Sequence, residues 1–160
     1  MMPLRVGAVD AAMATRCNEL VQLYLGGLDP DELIVMPLAE HVANMPEDGI
    51  YVRRELWQSK QQALRQFVGI TRRAWQYAFD HPAYAIESVM RRAHQAGVQT
   101  NKAHQMLMLS VLRDFYLEES GQLHDGQMGH EHFVSAWKLL RNYDVIEGDD
   151  MPSYQQFHQR

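Results

Sequence analysis

The chain has 160 residues, of which 46% are hydrophobic and 22% charged, with a formal net charge of −5. Such a composition belongs to a globular chain and excludes a disordered one, and at this length folding buries roughly 70% of the unfolded surface. The acidic balance also argues against nucleic acid as a partner. Phosphate binding needs a clustered basic surface, and doublets such as Arg72-Arg73 and Arg91-Arg92 fall inside segments that also carry apolar positions.

Taken in order, Val6 to Thr15 reads as a short strand of small residues. From Asn18 to Leu25, the spacing of Leu20, Val21, Tyr24 and Leu25 is helical, with Asn18 as N-cap and Gly26-Gly27 as the stop. Asp29-Pro30-Asp31 makes a turn. Leu33-Ile34-Val35-Met36-Pro37-Leu38, an apolar run bounded by breakers, reads as a buried strand. Strand, helix and strand in this order predict a parallel βαβ unit. A polar loop over residues 40–48 follows, then a third short strand at Ile50-Tyr51-Val52.

Beyond Glu55 the period becomes helical. Leu64, Phe67, Val68, Thr71, Ala74, Trp75, Ala78 and Phe79 predict a long amphipathic helix. Pro82 suits the first turn of the next helix, which Gly97 ends. Thr100 or Asn101 caps a third, running through Leu107, Val111 and Phe115, whose apolar residues on most sides predict burial on more than one face. After a glycine-containing polar linker over residues 121–129, Phe133, Trp137 and Leu140 mark a last helix before a weakly ordered tail from Pro152. The fold class expected is therefore α/β, with short parallel strands at the N-terminal end and a mostly helical C-terminal part.

Signals for catalysis are few. His130 and His132 are two apart, so on a helix they point ~200° away from each other, and no His-Glu-x-x-His spacing exists. No Gly-x-Ser-x-Gly elbow or phosphate-binding glycine loop is present. Cys17 is the single cysteine, which rules out an internal disulfide and a multi-thiolate metal site. The ten methionines are scattered and read as adaptable core filling. Neither a catalytic residue, a metal nor a cofactor is expected. No apolar run reaches the ~20 residues that span a bilayer, and Met1 to Arg16 lacks the compact apolar stretch of a signal peptide.

The remaining chemistry sits where the first expected strand meets the first helix, at Arg16-Cys17-Asn18-Glu19. In open α/β sheets ligands bind beyond the carboxyl ends of strands, so a carboxylate and an amide there could receive an aminopyrimidine or amidine-like edge. Capping and a favourable first-turn acid explain the same residues equally well. The loop carrying His41, Asn44 and Glu47 could line a cleft or simply connect elements.

Several pieces in this order resemble a known family. They are Gly7-x-Val9-Asp10-Ala11-Ala12, Asn18-Glu19, Gly27-x-Asp29-Pro30-Asp31-Glu32-Leu33 and Pro46-Glu47-Asp48-Gly49-Ile50-Tyr51, followed by Trp75-x-Tyr77-Ala78-Phe79-x-His81-Pro82 and Thr100-Asn101-x-x-His104-Gln105. Together they resemble bacterial ABC-transporter substrate-binding proteins, above all the branch that binds thiamine pyrimidine precursors, with nitrate, sulfonate and taurine binders further off. The resemblance spans about residues 5–118.

It implies a partial periplasmic-binding-protein-like fold within a two-lobed protein of roughly twice this length. Residues 1–44 would end the second lobe, 45–120 would form the crossover and helices completing the first, and 121–160 the C-terminal linker, helix and tail. It implies solute binding for an ABC permease or a sensor domain, in a periplasmic or extracytoplasmic setting. Asn18 and Glu19 become the leading ligand contacts, with Cys17, His41, Asn44 and Glu47 at the cleft edge. Cys17 stands where the pyrimidine-binding branch usually has an aromatic residue. A related pyrimidine synthase carries a cysteine cluster near the crossover, and Val42 to Tyr51 has none. An incomplete lobe would also expose apolar surface and favour self-association.

Overall fold

A computed structural model describes residues 2–41, 49–148 and 150–158, with His41 described by its backbone alone. The described elements are helical: α1 (Met2–Arg5), α2 (Glu19–Leu25), a 3-10 turn (Pro30–Glu32), α3 (Leu38–His41), α4 (Arg54–Asp80), α5 (Pro82–Gln95), α6 (Lys102–Tyr116), α7 (His130–Asn142) and α8 (Tyr154–Phe157). Among the described residues there is no strand. Their β-type pairing is limited to an isolated antiparallel bridge between Leu117 and Leu123.

This corrects the α/β expectation and its parallel βαβ unit. Val6–Thr15, Leu33–Leu38 and Ile50–Val52 have no regular β partner among the described residues, and Leu38 opens α3 instead. Leu33 does adopt extended torsion angles, φ −119° and ψ 135°. Extended backbone becomes a strand only when a neighbour supplies the ladder of hydrogen bonds, and none does so here. Ile34, which an interior strand would bury, is 91% exposed.

The helices follow local sequence closely. Asp29 caps the 3-10 turn by accepting from the Asp31 amide at 3.1 Å, while Glu32 reaches back to the Asp29 amide at 2.7 Å, a reciprocal capping box. Pro82 opens α5, where its missing N–H costs nothing. Gly97 adopts φ +67° beyond the end of α5, a conformation that favours glycine. Asn101 caps α6 by accepting from the His104 amide at 2.9 Å. One irregularity interrupts α4: Lys60 leaves helical geometry (φ −138°, ψ 33°), next to Ser59, whose hydroxyl donates to the Glu55 carbonyl at 2.8 Å.

The chain divides into two compact units. One comprises residues 1–34 and 70–124, the other residues 35–69 and 125–160. In the first, α6 packs against both α2 and α5. Its buried residues are Val21 and Leu23 of α2, Phe79 of α4, Ile86 of α5 and His104 of α6. Trp75 stacks on Phe79 (5.5 Å between centroids) and on Tyr116 (5.0 Å), extending the core with an aromatic layer. In the second unit Phe133 is the buried residue, with Tyr154 at 5.5 Å and Phe157 at 5.1 Å around it.

The expected burial of α6 on more than one face is also corrected. Met106, Leu107 and Phe115 are each about half exposed, because α2 and α5 cover only part of its circumference.

Candidate ligand-binding turn

Residues 15–19 form a tight turn leading into α2. The amides of Asn18 and Leu20 both donate to the Thr15 carbonyl at 3.2 Å. This folds Thr15 back over the start of the helix. One Glu19 carboxylate oxygen, Oε2, accepts from the Thr15 amide at 2.9 Å and from the Thr15 hydroxyl. The other, Oε1, accepts from the Asn18 side-chain amide at 3.1 Å. Asn18 in turn accepts through Oδ1 from the Gln22 side chain at 2.9 Å.

Asn18 is the N-cap residue of α2 by position, but its side chain makes no capping bond. Its amide is committed to Glu19 and Gln22 instead. Glu19 is held below its ordinary pKa, first by the Thr15 hydroxyl, then by its own backbone N–H. The Thr15 amide and the Asn18 side chain add to the effect, while partial burial opposes it. A carboxylate so supplied with donors stays ionised at neutral pH.

The structure thus brings Asn18 and Glu19 into direct contact and sets Cys17, half-buried, in the same turn. His41 ends α3, and its side chain lies outside the described residues, as do Asn44 and Glu47. Two contributors were not among the residues expected from the sequence. Thr15 supplies two donors to Glu19, its amide and its hydroxyl. Phe115, 99 positions from Arg16 in the chain, has its ring centroid 5.3 Å from the Arg16 guanidinium carbon. The Thr15-x-x-x-Glu19 spacing was available as a local signal. Nothing local could have pointed to Phe115.

Other features carry less chemistry. An open groove of about 720 Å³ is lined by Tyr51, Val52, Arg53, Glu55, Leu56 and Ser59, all from one continuous stretch. No group of three or more His, Cys, Asp or Glu side chains among the described residues could hold a metal ion. Nor is any described helix long and apolar enough to cross a membrane.

The family model described as NMT1/THI5 like matches residues 1–85, just over half of the chain. The chain belongs to the NMT1/THI5-like family. Its members are mostly substrate-binding proteins, typically extracytoplasmic, with a thiamine-related synthase among them. Small-molecule binding is accordingly the general function the family supports. The matched span contains the Thr15–Glu19 turn and α2 as well as residues 40–48, whereas α6 and α7 lie beyond it. No curated protein and no solved structure matches the chain.

Proposed function

We propose that this NMT1/THI5-like chain binds a small heteroaromatic solute of the thiamine-pyrimidine-precursor type, with Asn18 and Glu19 as its principal contacts. The observation that carries this reading is the pairing of the two side chains. An Asn amide has two N–H donors, and one of them is spent on Glu19. A carboxylate has about four acceptor sites, and three of those on Glu19 are taken by Thr15 and Asn18. The second Asn18 N–H therefore stands beside Glu19 Oε1, the less occupied of the two carboxylate oxygens, with the two heavy atoms 3.1 Å apart. An aminopyrimidine edge offers the complement, a ring nitrogen that accepts and an exocyclic amino group that donates.

In this reading the solute serves an ABC uptake system or a sensor outside the cytoplasm. Residues 1–44 contribute the ligand-contacting lobe, 45–120 the crossover and its helices, and 121–160 a C-terminal extension. A non-catalytic role is preferred over pyrimidine synthesis because Val42 to Tyr51, the stretch where the synthase carries its cysteine cluster, has no cysteine.

Calorimetry and thermal shift with a 4-aminopyrimidine test the proposal. Glu19→Gln replaces a charged acceptor with a neutral amide and should weaken binding about tenfold, since hydrogen bonds to charged groups contribute roughly 1.5–3 kcal/mol. Asn18→Ala should weaken it less. Equal binding by Glu19→Gln and the parent chain would remove Glu19 from the site.

A further inference from the structure

In the first unit the described buried side chains are apolar except His104, which is 8% exposed. It is the third residue of α6, the helix that packs on both α2 and α5. Its Nδ1 lies 3.3 Å from the Thr100 hydroxyl oxygen, which also accepts from the Gln105 side-chain amide at 2.9 Å. Its Nε2 is buried and has no hydrogen-bond partner in the protein. A neutral imidazole has one N–H and one lone pair, so one orphaned nitrogen costs it little. An imidazolium has two N–H donors and a charge. Here its Nε2–H would lack an acceptor, and the charge would sit in the first turn of α6, at the positive end of the helix.

The surrounding elements offer no compensating carboxylate. From α2 come Glu19, whose oxygens are engaged by Thr15 and Asn18, and Tyr24. The titratable groups of α5 are Tyr84, Glu87, Arg91, Arg92 and His94, all exposed. The part of α4 in this unit carries Arg72, Arg73, Tyr77 and Asp80, and α6 itself Lys102, Arg113, Asp114 and Tyr116. None of these groups hydrogen-bonds or ion-pairs with the His104 ring.

We propose that His104 is an acid-sensitive latch on the first unit: the packed unit holds the ring neutral, and proton uptake by the ring accompanies release of α6 from α2 and α5. The packed state then binds one proton fewer than the open state, so its stability falls as pH falls. His81, His94 and His124 of the same unit are exposed and meet water without any opening. In the second unit His130 and His132 of α7 are not buried either, so acid acts on one unit and spares the other. Release of α6 also loosens α2, the helix that carries Glu19. The latch requires no ligand.

The test follows amide exchange of the full chain at about pH 7.5 and about pH 5.5, a range in which histidine is the ordinary side chain that changes charge. After correction for intrinsic rates, protection in α2, α5 and α6 should fall about tenfold at the lower pH, as uptake of one proton allows, while α7 changes little. His104→Leu removes the proton site and keeps an apolar side chain in the core, so the fall should disappear. His104→Gln, which places a neutral polar group there, should abolish it as well. Nitrogen NMR of the parent imidazole gives a reading that needs no variant: the His104 ring should keep its neutral-form shifts for as long as α6 stays protected. A ring that becomes doubly protonated while α2, α5 and α6 remain protected overturns the inference. So does the same tenfold fall in either variant.

Discussion

The two units of the chain bury their apolar residues very differently. In residues 1–34 and 70–124, four helices contribute Val21, Leu23, Phe79, Ile86 and His104, and an aromatic layer of Trp75, Phe79 and Tyr116 lies over part of that core. In residues 35–69 and 125–160, Phe133 is the buried residue, enclosed by Tyr154 and Phe157 from a four-residue helix. Burial of apolar area is the main stabilising term in folding. The first unit should therefore hold its structure when the second has already opened, and the candidate turn is built on the more stable of the two.

The largest test of that contrast is removal of each core. Leu23→Ala, at a residue only 2% exposed, should cost about 3 kcal/mol and strip amide-exchange protection from α2, α5 and α6. Phe133→Ala should cost a similar ~3 kcal/mol within the second unit and abolish protection in α7 and α8, with little change in α5 and α6. Exchange that collapses throughout the chain for both variants would show one cooperative unit instead of two.

Smaller effects sharpen the comparison. Asn101→Ala removes the α6 cap and should lower urea stability by about 1 kcal/mol, read in the helices of the first unit. Tyr154→Phe removes the hydroxyl that donates to the Met128 carbonyl and should cost about 0.5–1 kcal/mol, confined to α7 and α8.

The smallest effect concerns Glu19. A carboxyl with a depressed folded-state pKa contributes stability that is complete above its ordinary unfolded value and is lost as pH falls through the lower folded value. Thr15→Val deletes the leading cause of the depression, so the Glu19 titration followed by carbon NMR should move upward. An unchanged titration would mean that the hydroxyl bond does not persist in solution.

The legible parts of the fold share one property, in that their determinants lie close together in the chain. The periodicity of Leu64 to Phe79 predicts α4, Pro82 and Gly97 bracket α5, Asn101 starts α6, and Phe133 to Leu140 marks α7. Each rests on i→i+4 bonds, a cap or a stop within a few residues. Val6–Thr15, Leu33–Leu38 and Ile50–Val52 carry strand-like composition without strand structure, because β pairing needs a partner and composition does not supply one. For the site, Asn18 and Glu19 were visible as a polar pair at a helix start, whereas the direction of their hydrogen bonds was not.

What the sequence determined by itself, then, was α2, α4, α5, α6 and α7, with Pro82 as a start, Asn101 as a cap and Gly97 as a stop, and an NMT1/THI5-like signature across its first half. These depend on short-range bonding and on residue order, both present in the chain before it folds. Only tertiary structure decided that Asn18 turns away from capping toward Glu19 and Gln22, and that Arg16 meets Phe115 instead of pairing with Glu19. The second of these depends on α6 packing against α2 and joins residues 99 positions apart. No local pattern encodes a contact of that range, because its formation depends on the loop closures and burial of the whole unit.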